Sequence, residues 1–276
     1  MPGATLIYDV RRPDEPSDLR PLFIFGSPMG ASGFEQLVSH LGDRTLITYD
    51  PRGMGRSTRA PGSELTAQTH AEDYHRVIDA TGLAPVNAFG SSGGGMCALH
   101  WIVAHPGDVH MLVSHEPPLV TLLDDREIAI RVFADIVDTY ERAGYGPAMA
   151  KFIQLVMRTS PLPDNYLDQP DPDPSQFGLP TTDDGTRDNL LLGGNLAMPP
   201  FEPDAEALRM SPVRVVPAIG EAGEGSLARR GGEALAALLD SRPVVFPGDH
   251  GGFAANEWSP NNDPGAFAQR LRELLG

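Results

Sequence analysis

The sequence predicts an α/β fold: a mostly parallel sheet with helices on both faces and an inserted helical stretch. Short apolar runs that end in turn residues alternate with amphipathic stretches long enough to be crossover connections. From about 118 to 210 that rhythm breaks, which marks the insertion.

In chain order, TLIYDV (5–10) can supply an antiparallel edge, and LFIFGS (22–27) reads as the first parallel strand, closed by Gly-Ser. Helical spacing over 33–42 leads to RTLITYD (44–50), and 66–81 leads to PVNAFGS (85–91). The Ala/Leu-rich stretch 93–105 precedes VHMLVSHE (109–116). Beyond the break come PVRVVPAIGE (212–221), a helical stretch over 226–240, PVVFPGDH (243–250) and a last helix over 264–275. Between 118 and 210 there is no convincing strand, but Ala129, Val132, Phe133, Ile136, Val137 and Tyr140 recur at helical spacing. The Pro- and Asp-rich segment 160–180 reads as an irregular surface loop. Two units follow: a core of 1–117 with 211–276, and a helical cap of 118–210.

Composition narrows the function. Lys and Arg total 21 against 37 Asp and Glu, a net charge of −16, so nucleic acid and anionic membrane surfaces are repelled. Cys97 is the single cysteine, which excludes an intramolecular disulfide and a cysteine zinc cage and fits a reducing cytoplasm. Charges are spread through the first twenty residues and no run approaches a membrane span, so a cytoplasmic location is expected. The histidines and acids show no metal-ligand spacing, and no cofactor motif is evident.

The stretch FGSSGGGMCALH (89–100) carries the chemistry. A phosphate-binding loop would need a lysine after its last glycine, and here Met96 and Cys97 follow Gly95. The pattern Gly-x-Ser-x-Gly fits instead at Gly90, Ser92 and Gly94, between an apolar strand and a helical segment. In that turn the serine backbone is strained and the flanking positions must lack a Cβ. Ser92 is therefore the candidate nucleophile, and the N–H of Gly93 at the helix start is a natural oxyanion donor.

A serine needs a base, and the base needs an orienting acid. Of eight histidines only His250 lies in the C-terminal half, in FPGDHGGF after a strand, on the edge where catalytic groups gather. His115, also at a strand end, is the weaker rival. For the acid, the loop after PVRVVPAIG offers Glu221 and Glu224, whereas VSHEPP offers Glu116, which stands where Pro117 and Pro118 end the strand. Glu116 is preferred, and Asp249 reads as a turn residue.

With the Gly-x-Ser-x-Gly turn, DPRGMGRS (50–57), the helical insertion and the late histidine in this order, the chain resembles the α/β-hydrolase superfamily over nearly its whole length. That resemblance implies a second oxyanion donor at Ser27, in Phe25-Gly26-Ser27-Pro28, with phenylalanine where the superfamily usually has histidine. SHEPP is similar to the zearalenone lactonase group, which implies a triad of Ser92, Glu116 and His250. That group places a cap tryptophan on its substrate, whereas Trp101 and Trp258 both fall outside 118–210 here. The expected activity is hydrolysis of a carboxylic ester or lactone of a hydrophobic small molecule, with Met29 and Met54 in the pocket. A carbon–carbon bond hydrolase, a cofactor-free haloperoxidase and a ligand-binding pseudoenzyme are the rival readings.

Overall fold

The computed structural model describes residues 3–257 and 259–276; Trp258 lies outside the described residues. Its sheet has the order β1-β3-β2-β4-β5-β6-β7. The strands are β1 (Ile7–Arg11), β2 (Leu22–Ser27), β3 (Leu46–Asp50), β4 (Val86–Ser92), β5 (Val109–His115), β6 (Arg214–Gly220) and β7 (Val244–Phe246). All neighbours run parallel except β1, which pairs antiparallel with β3 as the expected edge.

The near-continuous apolar runs follow from burial of the sheet on both faces. Alternate residues serve opposite faces: Phe23 and Phe25 of β2 join one core with Tyr74 and Trp101, while Leu22 and Ile24 join another with Phe34 and Phe267. The first face is covered by α2 (Ala67–Thr81), α3 (Gly93–Ala104) and α7 (Leu227–Leu238), the second by α1 (Glu35–Ser39) and α8 (Pro264–Leu275). Local signals set the helix ends. Thr66 caps α2 by accepting from the Thr69 N–H, and Gly82, at φ 66°, ends it. Asp263 caps α8 with Pro264 in the first turn.

Two elements are shorter than the pattern predicts. A 3₁₀ turn, Ala31–Phe34, replaces the start of the 33–42 helix. The run 243–250 yields only three strand residues, because Pro247 cannot donate to the ladder and Gly248 turns at φ 86°.

Between β5 and β6 lie α4 (Arg126–Ala143), α5 (Tyr145–Val156) and α6 (Ala205–Met210), with no strand among the described residues. The predicted periodicity belongs to α4, whose Ala129, Val132, Ile136 and Tyr140 enter a third apolar cluster with Leu155 and Leu192. Gly144, at φ 84°, breaks α4 from α5. The 160–180 segment holds only the one-turn helices Tyr166–Asp168 and Pro174–Phe177. At the end of the stretch Leu208 of α6 returns to the core beneath α3. No helix among the described residues is long and apolar enough to cross a membrane.

Candidate active site

Ser92 ends β4 and directly precedes α3, at φ 55° and ψ −129°, a conformation rare for a residue with a side chain. The glycines around it are demanded by close packing. A Cβ on Gly90 would stand 2.9 Å from Gly95 Cα, and one on Gly94 would stand 2.8 Å from Gly26 Cα. A Cβ on Gly93 or Gly95 would meet the carbonyl oxygen of Ser27 or Gly90 at 2.6 Å. Ser27, the last residue of β2, is the register partner of Ser92, so the two serines end adjacent parallel strands side by side. Ser92 Oγ makes no hydrogen bond among the described residues.

The strand after α3 delivers Glu116. Its N–H donates to the Ala218 carbonyl at 2.9 Å, its Oε1 accepts from the Gly220 N–H at 2.9 Å, and its Oε2 lies 2.7 Å from His250 Nδ1. Burial pushes the Glu116 carboxyl up, but the His250 hydrogen bond, nearby imidazoles and the Gly220 N–H outweigh it, and the acid stays below the usual range. With Nδ1 bonded to a carboxylate, the neutral ring carries its proton there and leaves Nε2 as the basic nitrogen. Asp249 braces the same loop, accepting from the Gly251 N–H, Ser259 Oγ and Asn262 Nδ2. Glu221 and Glu224 are exposed.

His115 is fully buried among Phe89, Phe246, Phe253 and Phe267, and neither ring nitrogen has a partner among the described residues. Burial pulls its pKa down to about 4. It therefore packs beneath the site and does not face the cavity.

That cavity, about 920 Å³, opens between the sheet edge and the helices that follow β5. Ser27, Ser92, Gly93 and His250 share its wall. The same cavity is lined by Phe133 and Val137 of α4, Phe152 and Val156 of α5, and a run from Leu196 to Phe201. No lysine or arginine lines it among the described residues.

A sequence model described as the alpha/beta hydrolase fold matches residues 22–189. The chain belongs to the α/β hydrolases. It is 28% identical over 294 residues to the hydrolase YraK of Bacillus subtilis, covering 100% of this chain and 94% of that protein. Among solved structures it resembles a thermophilic esterase from Thermogutta terrifontis, with TM-score 0.68, 19% identity and coverage of 98% and 92% of the two chains. It also resembles a proline iminopeptidase from Mycobacterium smegmatis, with TM-score 0.60, 22% identity and coverage of 98% and 94%. These structures share the fold and differ in the bond they are named for.

Two expectations for this α/β hydrolase need correction. Met29 and Met54 do not line the cavity: Met29 lies across Gly33 and packs against the core containing Phe34, and Met54 sits by Gly30 and Asp50. Met96 and Met198 line the cavity in their place.

DPRGMGRS acts as a brace. Asp50 accepts from the Ala31 N–H at 2.8 Å and from Arg56 Nε at 2.7 Å, tying the loop after Ser27 to the end of β3. Arg52 forms a bidentate pair with Asp73 of α2 at 2.6 and 2.5 Å. Phe25, which stands where the resemblance implies a histidine, packs its ring 4.4 Å from that of Tyr74 in the core. Trp101 is buried in this core.

Away from the cavity, the rings of His75 and His105 stack at 3.8 Å, with Asp108 close enough for the three to share an ion. The groups are already engaged: Asp108 Oδ2 accepts from Trp101 Nε1 and meets His75 Nδ1, each at 2.8 Å, and Glu72 meets His105 Nε2 at 2.9 Å. The ring planes are 4° from parallel, so an ion in the plane of one ring lies outside that of the other.

One polar residue at the cavity has no signal in the sequence. Asn195 ends the turn Leu191–Asn195 and donates through Nδ2 to Ser27 Oγ at 2.7 Å. A lone asparagine after two glycines looks like any other loop residue.

Proposed function

We propose that this α/β hydrolase is a serine hydrolase that cleaves a carboxylic ester or lactone of an uncharged, hydrophobic small molecule. The observation that carries the reading is the buried Glu116 carboxylate held on His250 Nδ1, with His250 on the same cavity wall as Ser92. Ser92 Oγ attacks the carbonyl carbon as His250 Nε2 takes its proton, and the N–H groups of Ser27 and Gly93 receive the oxyanion. Collapse of the tetrahedral species expels the alkoxide, which takes the proton back from His250. Water, deprotonated by the same imidazole, then releases the acid and restores Ser92. Glu116 sets the imidazole tautomer and supports its charge while it is protonated. These steps require the chain and water.

The segment 118–210 acts as a cap. Its α4 and α5 present apolar side chains to the cavity, which suits a hydrophobic acyl or alcohol group. The similarity of SHEPP to the zearalenone lactonase group favours cyclic esters among the candidates. A lining with no lysine or arginine among the described residues, on a chain of net charge −16, disfavours anionic substrates.

The decisive experiment is labelling with a fluorophosphonate probe alongside a panel of neutral esters and lactones assayed by acid release. Covalent modification of Ser92, and loss of both labelling and turnover in Ser92→Ala by ~10³-fold or more, are expected. Near-normal ester cleavage by Ser92→Ala would remove the mechanism. A protein with unmodified Ser92 and no turnover on the panel would point to a receptor that keeps the pocket.

A further inference from the structure

The hydrogen bond between Asn195 and Ser27 joins the segment between β5 and β6 to the strand end beside the candidate nucleophile. Its direction matters. An amide nitrogen only donates, so Asn195 Nδ2 occupies a lone pair of Ser27 Oγ, and the hydroxyl keeps its own proton to give. That proton finds no acceptor among the described residues, although Ser27 is 4% exposed and lines the cavity beside Ser92. A buried O–H without an acceptor next to a reacting carbonyl is a donor awaiting a partner.

We propose that Asn195 is a positioning residue that aims the Ser27 hydroxyl at the developing oxyanion, making that hydroxyl a third donor beside the N–H groups of Ser27 and Gly93. The inference rests on the serine-hydrolase reading above. Negative charge builds on the carbonyl oxygen only as the tetrahedral species forms, so the hydroxyl binds the transition state more strongly than the substrate. Acylation and deacylation both pass through such a species, and both gain.

Asn195 is held for this task. Its own N–H donates to the Leu190 carbonyl at 2.7 Å, and Asn189 Oδ1 accepts from the Leu191 and Leu192 N–H groups at 3.1 and 3.0 Å. A Cβ on Gly194 would meet Leu65 Cδ1 at 2.8 Å, and one on Gly193 would meet the Tyr140 ring at 3.0 Å, so the two glycines let the turn seat closely. The hydroxyl is therefore aimed only while that turn is seated over the cavity.

The test is steady-state kinetics on p-nitrophenyl butanoate for Ser27→Ala, Asn195→Ala, their double variant and Asn195→Asp, with thermal melts to establish folding. Ser27→Ala is expected to lower kcat by ~10- to 100-fold with KM little changed. Asn195→Ala is expected to lower kcat less, and the double variant to be no worse than Ser27→Ala, because both act through one hydroxyl. Asn195→Asp, which puts an acceptor where the donor was, draws the Ser27 proton away and falls below Asn195→Ala. Multiplying effects, losses confined to KM, or an Asp variant as active as the Ala variant would each overturn the proposal. If Asn195→Ala does not fold, a folded Ser27→Ala with wild-type kcat overturns it alone. Ser92→Ala separates the two levels: residual wild-type turnover there sinks the serine mechanism itself, whereas an inactive Ser92→Ala beside a fully active Ser27→Ala sinks only the third donor.

Discussion

Glu116 Oε2 and His250 Nδ1 are 2.7 Å apart although 134 residues separate them in the chain. The other carboxylate oxygen is already bound by the Gly220 N–H, so the acid can present only one edge to the imidazole. Glu116→Gln should be more damaging than its near-identical shape suggests. Gly220 continues to require the amide oxygen, which leaves the NH₂ facing Nδ1 and forces the wrong tautomer. We expect kcat to fall by ~10³-fold or more. Glu221→Gln and Glu224→Gln should stay near wild type in the same ester assay, and a defect confined to Glu221 would reassign the acid.

His115 and His70 are both buried, and burial pulls each pKa down from 6.5 to about 4. Between those values the unfolded chain binds protons that the folded chain refuses, so these two histidines make stability rise with pH across roughly 4 to 6.5 and add no pH dependence above it. A shift of this size corresponds to about 3 kcal/mol per histidine. His115→Phe, placed among four phenylalanines, should leave the melting temperature at pH 7.5 unchanged or higher and flatten its fall towards pH 5. An unaltered pH dependence would show that His115 does not set it.

Gly94→Ala should disrupt the turn that carries Ser92 from a position that does not line the cavity. Its Cβ would lie 2.8 and 2.9 Å from Gly26 Cα and C, backbone that cannot move without shifting β2. We expect a loss of about 2 kcal/mol or more, with activity falling in parallel. Denaturant melts and ester turnover read both, and a variant with wild-type stability would mean that β2 and α3 are less closely packed.

Asp50→Ala removes the acceptor that fastens the Ala31 N–H to β3 and should loosen the loop behind Ser27. The carboxyl is held below its ordinary range: burial raises it, while Arg56 and the N–H groups of Ala31 and Arg56 prevail. A displacement of the proposed oxyanion donors by a fraction of an ångström predicts a kcat about tenfold lower. Unchanged turnover in a folded variant would confine Asp50 to a structural role.

Charge selectivity follows from the cavity wall. For a matched pair of esters, one neutral and one ending in a free carboxylate, we expect kcat/KM to favour the neutral ester by about tenfold or more at low salt, with the gap narrowing as salt rises. Preference for the anionic ester would require a lysine or arginine that the described lining residues do not supply.

Much of this architecture is written in local sequence. LFIFGS, PVNAFGS and VHMLVSHE declare buried strands by apolar runs closed with turn residues, and the Ser92 turn is legible because a strained serine pressed against β2 leaves only glycine at Gly90 and Gly94. Such features show in the sequence as residue types a few positions apart, even where, as between Gly94 and Gly26, the contact that demands the glycine is distant. Others were decided by the tertiary structure. The contact that favours Glu116 over Glu221 and Glu224, the retreat of Met29 and Met54 from the cavity, the burial of His115 and the reach of Asn195 to Ser27 all depend on which strand ends and turns meet in space. The order of strands in the sheet sets those meetings, through contacts between segments far apart in the chain that no local periodicity encodes.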